Sequence, residues 1–116
     1  MKKTVAVLVT SLLLIVMSGC LIDYEPATFE VQGEQAVMIG VIDGTTPDEV
    51  QDLIDAHPNV TTIVMQDVEG SADDEANLVA ARLVHQHGFH THVPADGLIA
   101  SGGVDFFLAG TTRTVA

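Results

Sequence analysis

AVMIGVI, residues 36–42, is an apolar run without a single charged residue. A second apolar run, TIVM at residues 62–65, follows it after a segment with helical spacing. Short apolar runs of this kind are typical of strands that are buried on both faces of a parallel sheet. A helix between two strands supplies the crossover that parallel pairing requires. The two runs therefore predict a βαβ unit.

Three helices are predicted around these strands. The first is capped by Thr46 and has Pro47 at its first position, the arrangement that a helix N-terminus favours. The second is capped by Ser71, begins with acidic residues and runs to about His87, where Gly88 ends it. Its apolar stripe is predicted to consist of Ala76, Val79, Ala80, Leu83 and Val84. A third, short helix follows near the end of the chain and reaches Gly110.

Further strands are predicted on either side of this unit. Residues 29–31 and 89–93 have strand-like patterns, and residues 111–116 begin another strand. Strands that alternate with helices predict an α/β fold with parallel pairing and right-handed crossovers. A small sheet of this kind has open edges, which favour a homo-oligomer or another protein partner.

The N-terminus has the layout of a secretory signal peptide. Residues 1–19 begin with two lysines after Met1, continue with an apolar core at 5–17 and end with two small residues. That core is too short for a comfortable membrane span. Residues 20–27 are predicted to form a tether, and residues 28–116 the folded domain.

The chain is strongly acidic, with 16 Asp and Glu residues against 4 Lys and Arg and a formal net charge of −12. Two of the four cations, Lys2 and Lys3, belong to the predicted signal peptide. A surface of this charge repels phosphate backbones, so nucleic-acid binding is excluded from the expected functions.

The sequence Met-Ser-Gly-Cys at residues 17–20 resembles a bacterial lipobox, and Cys20 is the sole cysteine. The resemblance implies that Cys20 is lipidated and anchors the mature chain to a membrane of the cell envelope. Because Leu21 follows in place of an aspartate, it also implies the periplasm and the outer membrane. The alternative is an ordinary signal peptide with an incidental cysteine.

Two loops are expected at the carboxyl ends of neighbouring strands, where open parallel sheets place their sites. They are residues 66–71 and residues 97–103, and each leads into a helix whose first N–H groups are free to bind an anion. Ser101 stands between an apolar run and two glycines. On the residues alone it is either a helix cap or a nucleophile beside an oxyanion hole.

The segment Gly97-x-x-Ala100-Ser101-x-Gly103, continuing to Leu-Ala-Gly at 108–110, resembles the nucleophile region of ClpP-type serine peptidases in the ClpP/crotonase superfamily. Residues 68–71, Val-Glu-Gly-Ser, are similar to the family's glycine-rich turn. The resemblance covers the chain from about Val37 onward. It implies an incomplete α/β domain of the ClpP/crotonase kind, in which Ser101 is the nucleophile and the N–H groups of Gly70 and Gly102 form the oxyanion hole.

The chain departs from the family in two respects. Glu69 replaces a glycine of the turn, and no histidine follows Ser101, where the family has its general base and acid. The resemblance thus implies a serine hydrolase or peptidase acting on a peptide or acyl substrate, inactive in this form and complete only in a longer parent. The competing hypothesis is a non-catalytic interaction or scaffold lipoprotein with a degenerate ClpP-like fold.

Four of the five histidines lie within residues 85–92. His90 and His92 are two apart on a predicted strand and share a face, where they could hold a metal ion with Asp96 as a third ligand. His85 and His87 fall at a helix end, where the helix dipole favours imidazoles. The sequence therefore predicts neither a metal nor a cofactor, with His90 and His92 as the weak candidate ligands.

Overall fold

Strand β3 lies in the middle of a mixed α/β fold with one six-stranded, mostly parallel sheet and three helices. The structure is a computed structural model that describes residues 24–116. The elements in chain order are β1 Thr28–Gln32, β2 Gln35–Ile39, α1 Thr46–Ala56, β3 Thr62–Val68, α2 Asp74–His87, β4 His90–Val93, β5 Leu98–Ile99, α3 Gly102–Leu108 and β6 Arg113–Val115.

The strand order is β1-β2-β3-β4-β6, and β5 also pairs with β3. Strands β2, β3, β4, β5 and β6 pair in parallel, which confirms the predicted βαβ unit. Strand β1 instead runs antiparallel to β2 through a tight turn at Gly33, which has a φ of 63°. The short strand β5 was not predicted, because its two residues lie inside a segment that resembles a loop.

The helices cover one face of the sheet. Ala36, Ile63 and Thr91 are in register across β2, β3 and β4, and all three are buried. On the opposite face Val37, Val64 and His92 are in register, and Val64 is outside the core cluster that contains the helix residues. We call this second side the open face, since no helix of residues 24–116 packs on it. The prediction that residues 36–42 are buried on both faces is therefore wrong, and Ile39 is 48% exposed.

A β-bulge interrupts the pairing of β2 with β3. Met38 pairs with Met65, whereas the next residue of β2 pairs with Asp67, so Gln66 is the extra residue of β3. An extra residue reverses the alternation of side chains along a strand. Beyond the bulge, Val68 therefore points into the core, where it is fully buried, and Asp67 is exposed.

The helices begin one or two residues away from the predicted caps. Thr45 occupies the N-cap position of α1, and the buried Thr46 hydroxyl accepts a hydrogen bond from the N–H of Asp43 at 2.9 Å. Asp73 caps α2, since its carboxylate accepts the N–H of Ala76 at 3.0 Å. Ser71 is not the cap. Its hydroxyl donates to Asp74 at 2.6 Å.

The predicted signal peptide and the first half of the predicted tether, residues 20–23 with Cys20, lie outside the described residues. At the other end of that tether, the N–H of Ala27 donates to the carbonyl of Val41 at 2.8 Å, and Ala27 is 1% exposed. None of the helices within residues 24–116 has both the length and the apolar character needed to cross a membrane.

The one-sided burial of the sheet gives a stability prediction with a matched control. Ile63→Ala removes a fully buried side chain from the core and is expected to lower the free energy of unfolding by about 2–5 kcal/mol. Ile39→Ala deletes the same atoms from the open face and is expected to cost less than about 1 kcal/mol. Equilibrium urea unfolding followed by circular dichroism measures both, and equal losses would contradict a sheet covered on one face.

Candidate functional site

The candidate site forms where β3 and β5 end side by side. Leu98 and Ile99 of β5 pair with Asp67 and Val68 of β3. The N–H of Ala100 then donates to the carbonyl of Val68 at 3.2 Å. This pairing brings the two predicted loops together, because a Cβ placed on Gly70 would lie 3.7 Å from the Cβ of Ser101.

Ser101 has an unusual backbone conformation, with φ 50° and ψ −124°. It is the only non-glycine residue of residues 24–116 with a positive φ. For a residue with a Cβ such a conformation costs roughly 1–3 kcal/mol and persists only where the surrounding structure imposes it. Strain of this kind concentrates at functional sites, so the conformation of Ser101 supports a functional hypothesis.

The glycines that follow Ser101 allow the backbone to pack closely at this turn. A Cβ on Gly103 would collide with the carbonyl oxygen of Val68, and a Cβ on Gly102 would collide with the Ser71 side chain. The first turn of α3 thus lies directly on the end of β3. The Nδ2 of Asn77, on α2, donates to the carbonyl of Gly102 at 2.9 Å and holds the turn from the other side.

The Ser101 side chain is exposed and makes no capping hydrogen bond. Within residues 24–116, no side chain forms a hydrogen bond with its hydroxyl, so no general base is in place there. Gly102 is the first residue of α3, and an N–H at that position has no acceptor within its own helix. The carbonyl of Gly70 accepts the N–H of Ile42 at 3.0 Å, which fixes the peptide plane beside Ser101.

Carboxylates surround this end of the sheet. A depression of about 350 Å³ is lined by residues 24–25, 39–41, Asp67 and Glu69, while Gly70 and Ser101 are not among its lining residues. Its lining includes the carboxylates of Glu25, Asp67 and Glu69 and no cationic side chain. The depression therefore disfavours an anionic ligand.

Asp43 lies at the same end and is engaged as a turn former. Its carboxylate accepts hydrogen bonds from the N–H and the hydroxyl of Thr45, at 2.9 and 2.6 Å. The hydroxyl bond is the main reason that the pKa of Asp43 is lowered. Partial burial, followed by the charge of Asp43, raises the pKa of Tyr24, whose hydroxyl lies 3.4 Å from that carboxylate.

The histidines lie away from Ser101. His85 Nδ1 is 3.1 Å from the carbonyl oxygen of Ala109, and the ring of His87 packs against Phe89 with centroids 4.6 Å apart. His90 and His92 share the open face of β4, as predicted. The expected third ligand does not join them, because no group of three His, Cys, Asp or Glu side chains within residues 24–116 is arranged to hold a metal ion. The carbonyl of Asp96 instead accepts the amide of Gln66.

Asn77 is the site residue that the sequence did not reveal. The buried stripe of α2 consists of Asn77, Ala80 and Val84, whereas Val79, predicted to be part of the stripe, is 48% exposed. The sequence contains one indication of this role. Asn77 stands three positions before Ala80 and seven before Val84, a spacing that places the three residues on one face of a helix. Asn77 Oδ1 is buried without a hydrogen-bond partner within residues 24–116.

Comparison with protein-family models, with curated proteins and with solved structures finds no match for this chain.

The strain at Ser101 gives a prediction about stability. Ser101→Gly relieves a backbone conformation that glycine adopts freely, and it is expected to raise the free energy of unfolding by about 1 kcal/mol. The control is Ser71→Gly, which removes a hydroxyl from a residue without positive φ and is expected to be destabilising. Urea unfolding of the three proteins tests this, and a Ser101→Gly variant less stable than the wild type would contradict the proposed strain.

Proposed function

We propose that this chain carries the nucleophile of a cell-envelope serine hydrolase of the ClpP/crotonase kind and is inactive on its own. The observation that carries the proposal is the strained, exposed Ser101 packed against Gly70. A side chain held at a sharp turn between a strand and a helix projects away from the backbone, where a substrate carbonyl can reach it. A residue that served only as a cap would need neither the strain nor the exposure.

The chemistry proposed is acyl transfer. Ser101 Oγ attacks the carbonyl carbon of a peptide or ester, its proton passes to a general base, and the carbonyl oxygen becomes an oxyanion. The N–H groups of Gly70 and Gly102 are the proposed donors to that oxyanion. The acyl-enzyme forms when the leaving group departs with a proton, and water then releases the acid.

The general base has to come from outside residues 24–116. The Ser101 hydroxyl has no hydrogen-bond partner in that part of the chain, and a serine without a base is a weak nucleophile at neutral pH. The proposal therefore requires another chain or another segment beside Ser101. Glu69, which directly precedes Gly70, and the net charge of −12 favour neutral or cationic substrates over anionic ones.

The lack of a hydrogen-bond partner for the Ser101 hydroxyl within residues 24–116 also favours a second function. A chain that retains the fold without a base fits a non-catalytic interaction or scaffold lipoprotein of the envelope. In that case the conformation of Ser101 is a remnant without a role in catalysis. The two functions differ in whether Ser101 reacts with an acylating or phosphonylating reagent.

Labelling with a fluorophosphonate separates them. In envelopes of cells that produce the protein naturally, we expect labelling of Ser101, located by peptide mass, at a rate at least tenfold above that of Ser101→Ala. The purified chain in detergent is expected to react at least tenfold more slowly than the protein in the envelope. Ser71→Ala is the control, since the Ser71 hydroxyl already donates to Asp74. If Ser101 is labelled neither in the envelope nor in the purified chain, the hydrolase function is contradicted and the non-catalytic function is supported.

The location is proposed from the lipobox-like sequence at residues 17–20. Lipidated Cys20 would hold the mature chain on the periplasmic side of the outer membrane. Cys20→Ser is expected to release most of the protein from the membrane fraction, because no other acylation site of that kind exists in a chain with one cysteine. Mass spectrometry of the N-terminal peptide of the native protein should show an acylated Cys20 as its first residue, and an unmodified Cys20 would contradict the proposal.

A further inference from the structure

His90 and His92 have a feature beyond their shared face. Their side chains lie on the open face of β4, and both are half-buried. Each ring has its Nδ1 atom 2.6 Å from a threonine hydroxyl, His90 from Thr112 and His92 from Thr114. Two imidazoles on one strand are thus oriented in the same way by two residues of the neighbouring segment.

We propose that His90 and His92 form a two-histidine site for a divalent transition-metal ion of the Zn²⁺ class. Thr112 and Thr114 are its positioning residues. The inference is independent of the proposed hydrolase function, since Ser101 takes no part in it.

The two hydrogen bonds are compatible with the tautomer that a metal needs. When Nδ1–H donates to a threonine oxygen, the lone pair of the imidazole is on Nε2. Histidines that bind metals almost always have the other ring nitrogen held in this way by an outer partner. In the tautomer in which both Nδ1–H groups donate, both Nε2 atoms can bind a ligand on the open face, and zinc binding would favour that tautomer.

The spacing along the strand is compatible with one shared ion. Residues two apart on a strand are separated by roughly 6.5 Å. Two nitrogens bound tetrahedrally to zinc at about 2.0–2.1 Å lie roughly 3.3 Å apart. The half-exposed rings therefore have to tilt toward each other, and no helix of residues 24–116 stands in their way.

The chemical class of the ion follows from the ligands and the charge. Imidazole nitrogen favours Zn²⁺, Cu²⁺ and Ni²⁺ over Mg²⁺ and Ca²⁺, which require oxygen ligands. The formal net charge of −12 attracts cations to the surface. Since residues 24–116 supply no third protein ligand, water completes the coordination, and we expect micromolar rather than structural-zinc affinity.

The test is a titration of the full chain in detergent with Zn²⁺, followed in long-range ¹H–¹⁵N spectra of the histidine rings. We expect the Nε2 signals of His90 and His92 to shift together and to saturate near one equivalent. The same concentration of Mg²⁺, which binds carboxylates, should leave these signals unchanged. Absence of a zinc-dependent shift at both rings would overturn the proposal.

Substitutions of the histidines and threonines test which residues bind the zinc ion. His92→Ala is expected to weaken zinc binding at least tenfold, and the double variant Thr112→Val with Thr114→Val by about tenfold through loss of orientation. The matched control is His85→Ala with His87→Ala, two histidines that are also two residues apart but lie on α2. If the control loses as much affinity as His92→Ala, the zinc binds elsewhere and the proposal fails. Should His92→Ala not fold, His92→Gln provides the same comparison.

Discussion

The contact of Gly103 with the end of β3 is the constraint on which the candidate site depends. Val68 lies at that contact, with its side chain in the core and its carbonyl against the first turn of α3. It points inward only because the bulge at Gln66 reverses the alternation of β3. Without the bulge Asp67 would face the core, and the pairing of Ile99 with Val68 could not place Ser101 beside Gly70.

Much of the fold could be predicted from the apolar pattern, and the reasons for the failures are physical. The runs at 36–42 and 62–65 identify two strands correctly, because strands that pair in parallel leave few polar residues between turns. They do not reveal that the helices pack on one face only. Val37 and Ile39 are apolar without being fully buried, and composition cannot distinguish an apolar open face from a second core.

The candidate site could also be predicted only in part. The Ala-Ser-Gly-Gly sequence places a small hydroxyl residue before a close backbone approach, and the structure brings it to Gly70 as expected. The strand β5 is invisible in the sequence, because two residues carry no periodic pattern. The role of Asn77 depends on a contact with Gly102, 25 residues away, that local pattern does not contain. The sequence therefore predicted Ser101, which lies at the turn, but not Asn77, whose side chain stabilises the turn.

The energetics of Ser101 are not those of a helix cap. A serine that caps a helix stabilises it by accepting an N–H of the first turn, by about 1 kcal/mol. Ser101 accepts none, and its backbone adds a strain of roughly 1–3 kcal/mol that glycine would avoid. Within residues 24–116 nothing about its hydroxyl offsets that strain. A residue that lowers stability without a compensating contact is maintained most simply by a use for the exposed hydroxyl, and the hydrolase function proposed above would supply that use.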